Sequence, residues 1–525
     1  MRRPPTFYPR LFAILIATAL LHLHSPAAAQ EPELEGVWIE ERPPGGPITQ
    51  TMRLTLHPQA EPQPPLKYRL LPRESQMLDG NAAIHYLKAM GFLEQQAAQK
   101  RLQEIITESM ERVRQERKDI DEVPPYSWQS TRPEELPLEE VKEFLKLTSF
   151  QLWPLEEAAQ RRRADFDRQL QEQDEIWAYL IPEIQSMREL ARLQRLRCRV
   201  AIAEGDTEQA LKILGQQYAM ARHLGQDEFV ISALVGVSVG GVAWEDALHL
   251  IRQPNAPNLY WAFAALPRPV VDIQHELDTE AEWLPIGVKV LREVDETPRQ
   301  AGYWQGFIDR LIPQLGSLEA ELAKFGVRLP DDPVAARATF AGLIAAAYPG
   351  AKQYLIDRGQ LDRERIEEYP TAQVFFLALL RYHEERQQEA IKWAHLPYWQ
   401  AKPHLDDFAE TVRAQEEQIG WTALPTELIS VPIVSVLQAV ARMQQQIALM
   451  QTIEAIRMAG AVNGGKLPQR LEDLPLPAPV DPFTGRPFDY QHLGSHAVLS
   501  GAAHPHLQYR FVLRFDPEDS SAATR

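Results

Sequence analysis

Gly236-Val-Ser-Val-Gly240 matches G-x-S-x-G, the pattern in which a serine hydroxyl, here Ser238, attacks an acyl carbon. That chemistry needs a strained strand-to-helix turn, an oxyanion hole, and an acid and a histidine delivered by a parallel sheet. The alternating strands and helices that build such a sheet are missing from the surrounding sequence. The same five residues are equally G-x-x-x-G, whose small side chains let helices pack closely, and a buried helical Ser238 would not react. His383-Glu384 opens an H-E-x-x-H zinc pattern, but Gln387 stands where the second histidine belongs. His492, His496, His504 and His506 gather near the C-terminus without a carboxylate or cysteine at ligand spacing, and read as a solvated loop. Asp331-Asp332 and Asp406-Asp407 form a general acid/base couple only if the fold joins them; at turn-to-helix starts they read as caps. These patterns supply no catalytic residue, no cofactor and no metal site.

The elements around these residues begin with an export signal. Arg2, Arg3 and Arg10 precede the uncharged run Leu11 to Leu21, and Ala27-Ala28-Ala29 offers the small residues of a cleavage site between Ala29 and Gln30. The run is too short for a hydrocarbon core that needs about 20 helical residues, so residues 1–29 read as a removed signal peptide. The expectation is a periplasmic or secreted protein with no transmembrane anchor after signal removal. Cys198 is the sole cysteine, so no internal disulfide forms; among Leu193, Leu196 and Val200 it reads as a small buried hydrophobe. The formal charge is −17, and the signal holds three arginines and no acids, so the mature chain is more acidic still. With no basic stripe bearing interleaved aromatics, nucleic acid is excluded as a partner.

Residues 30–78 read as a Pro-rich extended arm, with nine prolines between positions 30 and 72. Alternation of Met52, Leu54 and Leu56 suggests one short edge strand, and Trp38, Tyr68 and Leu70 strap the arm to the body. Residues 79–430 read as a helical domain. Ile84, Leu87 and Met90 mark a first apolar stripe, with helices at Leu138–Leu147, Glu156–Tyr179, Ile184–Glu204, Thr207–His223 and Glu228–Arg252. Breaks fall at Pro124-Pro125, Pro154, Pro182, Gly205, Gly225 and Pro254. In Ala201 to Leu211, Gly205 takes a left-handed position, Asp206 caps the next helix and Gln209 closes a capping box. That turn resembles one tetratricopeptide unit within about 184–252, although the aromatic and proline landmarks of the repeat are missing.

Phe229 to Trp244 carries no charge and reads as a core helix, flanked by Asp227-Glu228 and Glu245-Asp246. Tyr260-Trp261 and Arg268 form an elbow with the residue types of an interface anchor. Further helices cover Asp332–Ala347, Arg363–Trp393 and His404–Ile419. Residues 431–525 comprise the amphipathic helix Ile433–Val462, with Gln444 to Gln446, Glu454 and Arg457 on its polar face, then a turn at Asp481–Tyr490 and a small antiparallel meander. The fold class is mainly α, an irregular helical bundle or solenoid-like array with a Pro-rich N-terminal arm and a C-terminal β-meander.

Several segments resemble uncharacterised exported proteins of planctomycete bacteria: LKYRLLPRES (66–75), GNAAIHYLKA (80–89), AIAEGDTEQAL (201–211), MARHLG (220–225), APNLYWAFAALPRP (256–269), and IEAIRMAGAVNGGKLPQRLEDL with PVDPFTGRPFDY (453–490). This resemblance implies location and helical architecture, and no mechanism. The last segment is also similar to the globular half of type II secretion pseudopilins. It departs from them in lacking their uncleaved assembly helix and their calcium-binding tail. The functional expectation is a non-enzymatic scaffold for an unknown protein or envelope component. The alternatives are a secreted hydrolase using Ser238 or an unplaced carboxylate pair, and a pseudopilin-like subunit.

Overall fold

The computed structural model describes residues 35–91, 96–116, 119–172, 181–315, 328–358, 361–419, 433–504 and 506–516. The signal segment and the Ala29–Gln30 cleavage site lie outside them. Apolar side chains at three- and four-residue spacing give helices α1 (Ala82–Met90), α2 (Gln96–Glu116), α3 (Leu138–Lys146) and α4 (Leu152–Ala159). The long α5 (Pro182–Ala203), α6 (Thr207–Leu224) and α7 (Val230–Ile251) follow, then the short α8 (Tyr260–Ala264), α9 (Gln274–Ala281) and α10 (Trp283–Gly287). Next come α11 (Ala301–Gln314), α12 (Pro333–Asp357), α13 (Arg363–Glu367), α14 (Thr371–Ile391), α15 (Tyr398–Ile419) and α16 (Ile433–Val462). The architecture is an irregular helical array with one small open sheet, as the sequence leads one to expect.

Strands β1 (Trp38–Glu41) and β2 (Ile48–Leu56) come from the Pro-rich arm. A two-stranded parallel pair, β3 (Leu78–Asn81) and β4 (Arg161–Arg163), flanks α1. The C-terminal meander is β5 (Asp489–His492), β6 (Ala497–Ser500) and β7 (Leu507–Phe515). The five-stranded sheet runs β1-β2-β7-β6-β5, and β2 pairs parallel to β7 from Ile48↔Leu507 to Leu56↔Phe515. The arm therefore supplies two strands, and β2 is interior where an edge strand is expected. Its alternation explains why: Met52, Leu54 and Leu56 are buried on the face that also holds Phe511 and Leu513. One core cluster joins that face to Tyr86, Leu190, Tyr218, Trp244, Phe263 and Ile453, so arm, helices and meander share it. A separate aromatic core, built on Trp304, Phe307 and Phe376, organises α10 to α12 and α14.

Other expectations change. The helix expected over Glu156–Tyr179 ends at Ala159, and Arg161–Arg163 pairs with β3 instead. Pro154 breaks nothing, because it occupies the first turn of α4, where its missing N–H costs no bond. The helix expected from Arg363 to Trp393 divides at Pro370 into α13 and α14. Gly205 does adopt φ +75°, and the Asp206 carboxylate accepts from Gln209 N at 3.0 Å. Only that half of the expected capping box forms among the described residues. On α16, Gln445, Gln446, Glu454 and Arg457 are buried, where a solvated polar face is expected.

Candidate functional site

Ser238 sits in mid-helix on α7, far from any strand-to-helix turn, and its side chain is exposed where a buried one is expected. The two glycines carry the helix-packing reading. A Cβ on Gly236 would lie 2.7 Å from the Ala221 carbonyl oxygen of α6, and one on Gly240 would strike the Met443 thioether of α16. By length and composition α7 could cross a membrane, and most of its apolar window is buried against neighbouring helices. His383 is buried on α14; its Nε2 lies 3.2 Å from the Ala281 carbonyl, and burial lowers its pKa to about 4. His504 lies 3.2 Å from the Tyr398 hydroxyl and stacks on Phe483. Among the described residues no three His, Cys, Asp or Glu side chains are placed to hold a metal ion. Asp332 caps α12 through Ala335 N, whereas Asp406 and Asp407 sit within α15, with Asp406 2.5 Å from Lys402. The two pairs do not meet.

The elbow residues hold the chain to itself. Tyr260 is buried and its hydroxyl donates to the Pro477 carbonyl at 2.8 Å. Trp261 Nε1 donates to Glu61 of the arm at 2.6 Å, and Arg268 donates to Gln451 of α16 at 3.0 Å. Cys198 is fully buried and its thiol pKa is raised by that burial, which leaves it inert.

A different surface is conspicuous. Leu78, Ile84, Leu87, Leu152 and Trp153 are exposed large apolar side chains, and all five come from β3, α1 and α4. Trp153 is 59% exposed. Of the apolar stripe Ile84, Leu87 and Met90, the first two lie on the outward face of α1 and Met90 is half-buried. The inward face is Ala82, Ala83, Tyr86 and Ala89, and its three alanines let α1 lie close to α4. Tyr86 fixes the helix in place. His223 Nε2 donates to the Arg161 carbonyl at 2.9 Å, so Nδ1 accepts from the Tyr86 hydroxyl at 2.8 Å. Asn81 caps α1 through Ala83 N and its side chain donates to the Asp165 carbonyl. The ridge is therefore apolar but rigidly mounted.

Beside it opens a cleft of about 190 Å³, lined by Met90, Leu102, Ile106, Phe144, Leu193 and Leu196 among others. Met90 lies one helical turn beyond Leu87, and Gln151, another lining residue, immediately precedes Leu152. The cleft thus adjoins the C-terminal end of α1 and the N-terminal end of α4. Sequence reasoning passed over Leu152 and Trp153; the available signal was that α1 and α4 carry apolar residues on both faces. Comparison with protein-family models, with curated proteins and with solved structures finds no match to this chain.

Proposed function

We propose that this is a non-enzymatic exported scaffold that engages a protein partner through the ridge of Ile84, Leu87, Leu152 and Trp153 and the adjoining cleft. The observation that carries the reading is the concentration of exposed large apolar side chains on two packed helices. Contiguous apolar surface rimmed by polar groups marks an interaction site on a water-soluble molecule, whereas scattered single residues carry no such meaning. Tryptophan beside a pocket is the residue type that dominates binding energy at interfaces. Among the described residues no base is hydrogen-bonded to Ser238, so the serine form of the hydrolase alternative gains no support from the geometry.

The test is photo-crosslinking in the native envelope, with benzoylphenylalanine placed at Leu87, at Trp153, and at the exposed control Gly302. The proposal expects one discrete protein adduct from the first two positions and none from the third. Adducts that are absent, or equally abundant at Gly302, would reject it. A phosphatase fused after Gln30 tests export separately, through activity that requires an oxidising compartment.

A further inference from the structure

A second cleft, of about 280 Å³, lies between α14, α15 and the end of α12. Tyr382, Glu385, Arg386 and Glu389 line it from α14, and His404, Asp407, Phe408 and Thr411 from α15. Each set follows the spacing i, i+3, i+4, i+7, which is one face of a helix. Helices joined by a connection as short as 392–397 ordinarily meet through apolar rows. Here both rows are mostly polar, so they bound a cleft rather than a packed seam. Its walls are fixed in place. Trp393 stacks on His404 with ring centroids 4.2 Å apart, and Tyr382, 2% exposed, meets Tyr354 edge-on. The Tyr354 hydroxyl donates to Glu385 at 2.7 Å, and Arg358 lies 3.0 Å from the same carboxylate. Lys392 donates to Glu389 at 2.6 Å.

Arg358, Arg386 and Lys392 balance Glu385, Glu389 and Asp407, so the cleft and its paired lysine carry no net formal charge. An anion entering it would face three carboxylates, and a cation would face two arginines. The ion pairs still have bonding capacity to spare, because a carboxylate accepts at about four sites and a guanidinium has five N–H groups. Asp407 is exposed, and its carboxylate has no partner among the described residues. The indole N–H of Trp393, another lining residue, is buried without an acceptor. We propose that this cleft binds a neutral carbohydrate, with one sugar ring between the α14 and α15 rows and its hydroxyls bonded to Asp407, Glu389 and Arg358. A hydroxyl both donates and accepts, so a ring bearing several satisfies mixed donors and acceptors without adding charge. Phe408 and Tyr382 supply apolar surface for the C–H groups of the ring. The volume is nearly twice the roughly 150 Å³ that holds a benzene ring, which leaves room for the hydroxyls. The cleft shares no residue with the ridge of α1 and α4, so carbohydrate binding stands apart from the scaffold reading.

The experiment is saturation-transfer-difference NMR on the mature chain with glucose, N-acetylglucosamine, cellobiose and chitobiose. Choline, alanine and inorganic phosphate serve as charged controls. At least one saccharide should bind with a millimolar or lower Kd, and the controls should not bind. Asp407→Ala should weaken that binding about tenfold, the equivalent of one charge-assisted hydrogen bond. Because the Asp407 carboxylate holds no partner, this variant should keep the wild-type circular dichroism. Glu389→Gln, which retains one acceptor oxygen, should weaken binding by less, and Trp153→Glu on the ridge should leave it unchanged. A disaccharide bound more tightly than its monomer identifies a unit of a polymer as the ligand, and equal binding a free sugar. Preference for choline or phosphate overturns the neutral-ligand assignment, and preference for alanine overturns it in favour of an amphoteric ligand. Failure of every saccharide to bind, or binding that Asp407→Ala leaves intact, overturns carbohydrate recognition at this cleft and leaves the scaffold reading to the crosslinking result.

Discussion

Gly236 and Gly240 show how one motif is decided by its surroundings. Both lie on α7, but they face different neighbours. A Cβ at Gly236 would press on a backbone carbonyl of α6, which cannot rotate away, whereas at Gly240 it would meet only the flexible end of Met443. Gly236→Ala should therefore cost about 1–3 kcal/mol, the usual range for overpacking, and Gly240→Ala distinctly less. Urea unfolding midpoints of the two variants give the order. Ser238, between them, has no hydrogen-bonded base among the described residues, so the folded protein should resist a fluorophosphonate probe. Stoichiometric labelling that Ser238→Ala removes would restore the hydrolase reading.

At the scale of elements, α16 is the post to which the arm and the elbow are tied. Arg457 and Glu454 are both 0% exposed and lie 3.0 Å apart. Arg457 also donates to the carbonyls of His57 at 3.0 Å, Ala256 at 2.8 Å and Pro257 at 3.2 Å, while Asn258 donates to the Glu454 carbonyl. One guanidinium thus ties the arm and the elbow to the helix that leads into the meander. Arg457→Met should destabilise by about 3–5 kcal/mol, because it leaves a buried carboxylate uncompensated and three carbonyls without a donor. Adding Glu454→Gln should recover only the share due to the charge. A double variant no more stable than Arg457→Met in chemical denaturation would show that the carbonyl contacts dominate.

For the whole molecule, buried titratable groups set the response to pH. Burial raises Glu276 to about 9 and Glu280 to about 8, both on α9, so both are neutral carboxylic acids at pH 7. Burial lowers His223 to about 3 and His383 to about 4, so both imidazoles are neutral as well. A raised carboxyl pKa means the folded state holds the proton longer, so that stability is full below about 4.5 and declines as pH rises toward 9. A lowered histidine pKa means the reverse: that stability is full above about 6.5 and declines as pH falls toward 3. Above 6.5 only the carboxyl groups act, at up to about 1.4 kcal/mol per pH unit each. Stability should therefore be greatest in the mildly acidic range and fall from pH 6.5 to 9. Glu276→Gln with Glu280→Gln should flatten the alkaline limb in urea titrations without moving the acid limb; an unchanged slope would contradict the assignment.

Much of the helical layout was legible from the residues alone. The left-handed Gly205, the cap by Asp206, the buried Cys198 and the turn at Asp481, whose carboxylate accepts from Phe483 N at 2.9 Å, depend on side-chain chemistry within a few residues. Such features are local, and a local pattern suffices to read them. The partner of β2 was not legible, because alternation reveals which face of a strand is apolar but not which strand lies beside it. That neighbour is β7, at the opposite end of the chain. The burial of Glu454 and Arg457 was hidden for the same reason: their polarity suggests solvent until the elbow and arm close over them. The ridge on α1 and α4 is the converse case, since Ile84, Leu87 and Trp153 look like core until the folded chain leaves them uncovered. Periodicity determined which residues share a face; only the tertiary structure decided what, if anything, covers it.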